Sequence, residues 1–121
     1  MIKIDTWRKE EGIEVFARGH ALYDEAGRDI VCAGVSAVLF GFLDYLEEKH
    51  QEDKESHMHV AIWNGGLHVS TRGFEPRLGI DKVSLVCMEH SLGLITKSYP
   101  KHVKLYKHDL CSKKAKKKGG R

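Results

Sequence analysis

Apolar and polar residues alternate along four short segments, the pattern of strands that are buried on one face. The first two segments lie at 2–6 and 13–17 and are separated by a turn that contains a glycine. The other two lie at 58–62 and 67–71, and Asn64-Gly65 between them is a strong hairpin signal. The pattern therefore predicts two β-hairpins.

A longer apolar segment with helical spacing lies between the two hairpins. Asp29 is well placed as its N-cap, and the helix is predicted to continue to about Lys49. Two neighbouring stripes together cover most of its circumference: Val31, Val35, Val38, Phe42 and Tyr45, and then Cys32, Ser36, Leu39, Leu43 and Leu46. This breadth predicts a helix that is buried on more than one side, with a second subunit as one way to cover it.

A second helix is predicted from Asp81 to about Ser98, and Tyr99-Pro100 ends it. Its main apolar face is expected to consist of Val83, Val86, His90 and Leu94, with Leu85, Cys87 and Leu92 forming a less regular one. Val103, Leu105 and Lys107 suggest a last short strand. The order strand, strand, helix, strand, strand, helix predicts an α+β sandwich, in which an antiparallel or mixed sheet packs against two long helices.

The length of 121 residues suits one domain, which we place at 1–111, followed by a basic tail at 112–121. The tail carries all its charges as bases: Lys113, Lys114, Lys116, Lys117, Lys118 and Arg121. Without them the chain has 14 bases and 17 acids, so the net charge of +3 hides a mildly acidic body. This distribution argues against a folded nucleic-acid binder with a basic face. The tail itself is either a disordered, solubilising segment or a contact for RNA on the ribosome.

The three cysteines, Cys32, Cys87 and Cys111, are too few and too scattered for a disulfide framework, and no Cys-x-x-Cys pair suggests zinc. Met1 to Glu11 is charged throughout and contains no apolar signal core. The longest uncharged run, Ile30 to Leu43, has fourteen residues, fewer than the roughly 20 that span a bilayer. We therefore expect a cytoplasmic protein with no membrane contact.

His20 and Cys32 are the residues with the clearest chemical potential. Cys32 falls in the first turn of the long helix, where the helix dipole and unpaired N–H groups favour a thiolate. An imidazole nearby would serve as base and then as acid, and the N–H groups of Cys32 and Ala33 would hold a developing oxyanion. The plainer interpretation is an inert, packed cysteine and an ordinary loop histidine. Spacing alone leaves both open.

The residues around this pair narrow the choice. The sequence contains Gly19-His20-Ala21, eight intervening positions, Ile30-Val31-Cys32-Ala33 and then Val35-Ser36. This combination resembles the ribosomal-processing cysteine protease Prp family of bacteria, the YsxB-like proteins. The resemblance is strongest over 19–46 and extends more loosely over about the first 105 residues.

The resemblance implies a small, commonly dimeric α/β protease without a cofactor. Its substrate in bacteria would be the N-terminal extension of the large-subunit ribosomal protein numbered twenty-seven, cut after a pair of phenylalanines. It also implies that Cys32 is the nucleophile, that His20 is the general base, and that Asp29 and Ser36 support them. Related phages use such proteases on capsid or scaffold proteins with a similar sequence, so a phage protein is an alternative substrate. A non-catalytic ribosome- or RNA-binding module that uses the tail is the rival function.

The same resemblance assigns one segment to a mobile loop over the active site, with Gly27 as a hinge. The residues of this substrate loop are Ala21, Leu22, Tyr23, Asp24, Glu25, Ala26, Gly27 and Arg28. The basic tail at 112–121 has no counterpart in the family pattern, and the linker at 51–59 is longer and richer in histidine than is usual in the family.

His57 and His59 share one face of a predicted strand, and His68 lies on the strand beside it. Convergent histidines of this kind either bind a metal or simply form a solvated strand face. Because eight histidines make chance pairing easy, we favour the solvated face and expect no metal.

Overall fold

Five strands and two helices make up the computed structural model, which describes residues 1–74 and 79–111. In chain order they are β1 (Ile2–Arg8), β2 (Ile13–Arg18), α1 (Ile30–Glu52), β3 (His57–Trp63), β4 (Gly66–Arg72), α2 (Ile80–Ser98) and β5 (Val103–Asp109). This order confirms the predicted α+β fold and its last strand. The predicted tail at 112–121 and Pro76 in the predicted loop lie outside the described residues.

The strands form one mixed sheet in the order β3-β4-β2-β1-β5. The two hairpins and the β2–β4 pair are antiparallel, whereas β5 runs parallel to β1 with Ile4 opposite Leu105. A parallel neighbour requires a long crossover, and α2 supplies it. β2 and β4 are thus adjacent at the centre of the sheet, which places the residue that follows β2 beside the β3–β4 turn.

One face of the sheet carries the apolar residues of the strands and packs against both helices. Ile4, Ile13, Val15 and Val69 are fully buried there. On α1 the buried residues are Val31, Val35, Leu39, Phe42, Leu43 and Leu46. Among the described helices α1 has the length and composition of a membrane span, and in this fold the six buried residues named above belong to the core.

The buried residues of α1 come from both predicted stripes, although Tyr45 is 42% exposed within this chain. The expectation for α2 is wrong. On α2 the predicted apolar face points to solvent: Val83 is 59% and Leu94 68% exposed. The buried residues of α2 are instead Asp81, Leu85, Met88, Glu89 and Leu92.

Polar partners on the sheet explain why α2 buries two acidic residues. The Glu89 carboxylate accepts hydrogen bonds from the Thr6 hydroxyl and forms an ion pair with Arg8 of β1. Asp81 accepts a hydrogen bond of 2.9 Å from the Thr71 hydroxyl of β4. Because these carboxylates are paired, their burial is tolerated on the same helix face as Leu85 and Leu92.

Candidate active site

Cys32 lies in the first turn of α1, as the sequence predicted. The helix begins after Asp29, whose Oδ1 accepts hydrogen bonds from the N–H groups of Val31 at 3.0 Å and Cys32 at 2.9 Å. Asp29 is therefore the N-cap, and its prediction as a cap is confirmed. Cys32 is partly exposed.

The backbone donors that the sequence analysis assigned to an oxyanion are already occupied. The N–H of Cys32 donates to the Asp29 carboxylate, and the N–H of Ala33 donates to the Asp29 carbonyl at 3.0 Å. Neither group is a free donor in this structure. The expectation of an oxyanion site had left out the hydrogen bonds that these two N–H groups make to Asp29. The negative charge of Asp29 also offsets part of the positive potential at the helix N-terminus.

His20 lies two residues after the end of β2 and is exposed. The next residue, Ala21, donates its N–H to the Cys32 sulfur at 3.4 Å. The Ala21 carbonyl accepts a hydrogen bond of 2.8 Å from Nδ1 of His102. The backbone beside His20 is thus held from both sides, by the candidate nucleophile and by a histidine just before β5.

Two cavities meet at His20, Cys32 and Ser36, which line both. The sheet-side cavity, of about 250 Å³, is closed by apolar residues that include Val35, Leu39, Phe40, Trp63 and Leu67. The loop-side cavity, of about 550 Å³, is lined by Leu22, Asp24, Ala26, Gly27, Asp29 and Ala33. The residues singled out by sequence therefore converge on one concave region.

Asp29 also fixes the substrate loop at 21–28. Its Oδ2 accepts hydrogen bonds from the N–H groups of Tyr23 at 2.9 Å and Asp24 at 3.4 Å. The Tyr23 ring packs edge-on against Tyr99 and His102, with centroid distances of 5.2 and 5.3 Å. Leu22 has a left-handed φ of 57° and is 76% exposed. The loop is thus anchored at Tyr23, while Asp24 to Arg28 are exposed.

The electrostatics of Asp29 follow from these contacts. Burial by itself would raise the pKa of its carboxyl, but hydrogen bonds from the N–H groups of Cys32, Tyr23, Asp24 and Val31 outweigh it and lower the pKa below its ordinary value of 3.8. The folded state therefore favours the ionised carboxylate. Its contribution to stability is present at neutral pH and is lost as the pH falls through the lowered pKa of the folded state.

We expect Asp29→Ala to lower the free energy of unfolding by about 1 kcal/mol, the usual effect of removing an N-cap. Asp29→Asn retains an oxygen for the helix N–H groups, but its amide nitrogen cannot accept from Tyr23 or Asp24, so we expect a smaller loss. Thermal unfolding should show that the wild-type advantage over Asp29→Asn shrinks as the pH is lowered from 7 to below about 3.8. The same advantage at both pH values would contradict this role.

The histidines considered for a metal site are spread over the open face of the sheet. His59 and His68 are ring neighbours at 5.7 Å, and His68 bonds to Glu14 at 2.6 Å. Within 1–74 and 79–111, no three histidine, cysteine or carboxylate side chains are grouped so that they could hold a metal ion.

Sequence reasoning missed two contributors to the site. His102 contacts Ala21, which is 81 positions away in the sequence, and no local spacing of residues predicts such a contact. Gly65 was read only as part of a turn, although an added Cβ there would meet the His20 ring at 2.9 Å. The Asn-Gly pair gave a signal for the turn but none for what the turn faces.

Comparison with known proteins decides the family. A family model described as the cysteine protease Prp matches residues 1–104. The chain belongs to the Prp family of cysteine proteases. This confirms the resemblance carried by the glycine-histidine and cysteine-serine segments, and it identifies the protein as a cysteine protease rather than a non-catalytic binding module.

The ribosomal processing cysteine protease Prp of Staphylococcus aureus is 32% identical over 107 residues, which cover 87% of this chain and 97% of that protein. The Mycoplasma genitalium Prp is 31% identical over 87 residues, covering 72% of this chain and 80% of that protein. The crystal structure of S. aureus Prp with a covalently linked product peptide has a TM-score of 0.68 at 31% identity, covering 88% of this chain and 99% of that chain. A complex of S. aureus Prp with a substrate peptide gives 0.65 at 29% identity and the same coverage.

Proposed function

We propose that this protein is an endopeptidase that removes the N-terminal extension of the bacterial large-subunit ribosomal protein numbered twenty-seven, with Cys32 as nucleophile and His20 as base and acid. The observation that carries this proposal is the convergence of His20 and Cys32 on the same two cavities in a chain of the Prp family. Its relatives in S. aureus and M. genitalium are ribosomal processing cysteine proteases, which supports the substrate class.

The reaction follows the general logic of a thiol nucleophile. The Cys32 thiolate attacks the scissile carbonyl carbon and forms a C–S bond, after the thiol proton has passed to His20. His20 then gives that proton to the amine as the C–N bond breaks, which leaves an acyl-enzyme on Cys32. Water, deprotonated by His20, hydrolyses the thioester and regenerates the thiol. Because the N–H groups of Cys32 and Ala33 serve Asp29, other donors that face the sulfur must stabilise the oxyanion.

The shape of the sheet-side cavity supports recognition of phenylalanine. Phe40 and Trp63 remain 43% and 44% exposed although both are large and apolar, and both line the cavity that reaches Cys32. Exposed aromatic side chains beside a concave apolar wall are typical of a binding pocket for an apolar side chain. One phenylalanine of the substrate pair would occupy this cavity while the scissile carbonyl meets the sulfur.

We expect Phe40→Ala to lower kcat/KM about tenfold for a peptide that contains the phenylalanine pair, because an apolar contact to the substrate is lost. The effect should be smaller for a peptide with alanine in place of the pocket phenylalanine. Tyr45→Ala is a matched control, since Tyr45 is equally exposed on the same helix but lines a different cavity. Steady-state kinetics with both peptides measures kcat/KM for each variant. An equal loss in Phe40→Ala and Tyr45→Ala would contradict the assignment of Phe40 to a substrate pocket.

The identity of the substrate is tested with intact proteins. Purified enzyme is incubated with the precursor of the ribosomal protein and, separately, with a phage capsid or scaffold protein that contains a similar phenylalanine motif. Mass spectrometry should show removal of the ribosomal extension at a higher kcat/KM. Cleavage of the phage protein alone would assign the enzyme to phage maturation, with the same chemistry and a different target.

A further inference from the structure

The β3–β4 turn lies directly against the candidate catalytic histidine. The N–H of Gly19, at the end of β2, donates to the carbonyl of Gly65 at 2.8 Å. This bond continues the β2–β4 pairing one step beyond Arg18 and Gly66. His20 therefore leaves the sheet next to Gly65, although the two are 45 positions apart in the sequence.

The His20 ring fills the space that a side chain at position 65 would need. A Cβ on Gly65 would lie 2.9 Å from Nε2, 3.3 Å from Cε1 and 3.6 Å from Cδ2 of the imidazole. The first distance is shorter than the contacts that real Cβ atoms make. All three atoms belong to the end of the ring that carries Nε2. The ring is the free end of a side chain that can rotate, so a Cβ would displace the imidazole and leave the hairpin in place.

A second, separate reason for glycine exists at this position. Gly65 has a φ of +87°, a conformation that L side chains rarely adopt. Asparagine tolerates a positive φ better than alanine, so the backbone alone would accept it. Only glycine meets both requirements, because any other residue brings the Cβ that meets the ring.

The geometry points to Gly65 as a positioning residue of the protease: by having no side chain, it sets where the His20 imidazole stands relative to Cys32. This role rests on the proposed His20–Cys32 chemistry. Small displacements of a catalytic group are costly, since about 1 Å can reduce the rate on the order of 100-fold. The role predicts a larger loss in kcat than change in KM. Gly65 itself lines the sheet-side cavity, but the apolar side chains that close this cavity are unchanged in the variants.

Three variants separate the ring contact from the backbone effect. Gly65→Ala strains the backbone and adds the Cβ, and Gly65→Asn adds the same Cβ with less backbone strain. Gly79→Ala is the control, because Gly79 also has a positive φ, of +58°, but an added Cβ there would meet no atom of the described residues within 4 Å. We expect kcat for the phenylalanine-pair peptide to fall about 10- to 100-fold in both Gly65 variants. KM should stay within about twofold, and Gly79→Ala should keep the wild-type kcat.

Two readouts that need no substrate keep the test independent of the proposed target. The Cε1 proton resonance of His20, identified by its loss in His20→Ala, should move in both Gly65 variants and stay in place in Gly79→Ala. Iodoacetamide alkylation of Cys32 should change across pH 5–9 toward the His20→Ala profile in Gly65→Asn. In the His20→Ala background, the further change Gly65→Asn should alter the alkylation rate by less than about twofold.

The outcomes distinguish the role of Gly65 from the proposed chemistry of His20 and Cys32. If His20→Ala changes the alkylation of Cys32 but the Gly65 variants keep the wild-type kcat and His20 resonance, the proposed role of Gly65 is wrong and the pairing of His20 with Cys32 is retained. If His20→Ala leaves the alkylation unchanged, the pairing of His20 with Cys32 is wrong, and so is the role of Gly65 that depends on it. Should Gly65→Ala fail to fold, Gly65→Asn decides the question: wild-type kcat in that variant would overturn the proposal.

Discussion

Replacing Cys32 with alanine is expected to reduce kcat for the phenylalanine-pair peptide by roughly 10⁴-fold or more, since the residue that forms the covalent intermediate is removed. The sulfur is partly exposed, contacts the backbone next to His20 and lines both cavities. Its removal leaves the helix cap intact, because the cap uses backbone N–H groups at 31 and 32. The thermal midpoint should therefore change little while activity is lost.

Cys87→Ala is the matched control for this experiment. Cys87 is also a free thiol, is exposed on α2, and lines a cavity that contains neither His20 nor Cys32. It should retain the wild-type kcat and KM in the same assay. Equal loss in the two variants, or full activity in Cys32→Ala, would mean that the nucleophile lies elsewhere.

His20→Ala is expected to lower kcat by about 10²- to 10⁴-fold, the usual contribution of a general base and acid. KM should change less, because the apolar wall of the sheet-side cavity is intact in the variant. Stopped assays over long incubation times can measure the residual rate. A loss confined to KM would indicate that His20 binds substrate and takes no part in proton transfer.

His90→Ala controls for the removal of a histidine. His90 is exposed on α2 and lines neither cavity at Cys32, so its replacement should leave both kinetic constants unchanged. If His90→Ala and His20→Ala reduce kcat equally, the loss reflects a general effect on the fold, and the assignment of His20 as the base is wrong.

Sequence periodicity was sufficient for the strands and for the start of α1, because each depends on local patterns. Alternation at 13–17 reports directly which side of β2 is buried, and Asp29 is a capping residue placed just before an apolar helix. The helix α1 ends at Glu52, three residues beyond the predicted Lys49, and helix ends are less marked in sequence than N-caps.

The buried face of α2 was not predictable by the same means. Val83, Val86 and Leu94 form as regular a stripe as the buried face, which contains Glu89. The burial of Glu89 is explained only by Arg8 and Thr6, which are more than 80 positions away. A carboxylate is assigned to the surface by default, so the sequence pattern favoured the wrong face.

The same limit applies to the candidate site. The residues His20, Cys32, Asp29 and Ser36 were found because they lie in one short stretch of sequence. The competition for the N–H groups of Cys32 and Ala33 was missed, although Asp29 had been recognised as a cap. His102 and Gly65 approach this stretch through the sheet order, which the sequence alone did not specify.

The role of Cys32 as nucleophile is tested most directly by identifying the atom that holds the acyl group. The wild-type enzyme is mixed with the phenylalanine-pair peptide, quenched in acid within milliseconds to seconds, digested and analysed by mass spectrometry. If Cys32 is the nucleophile, the acyl mass is found on the peptide that contains Cys32 and is absent in Cys32→Ala. An acyl group on Cys87 or Cys111, or cleavage by Cys32→Ala at the wild-type rate, would contradict this role.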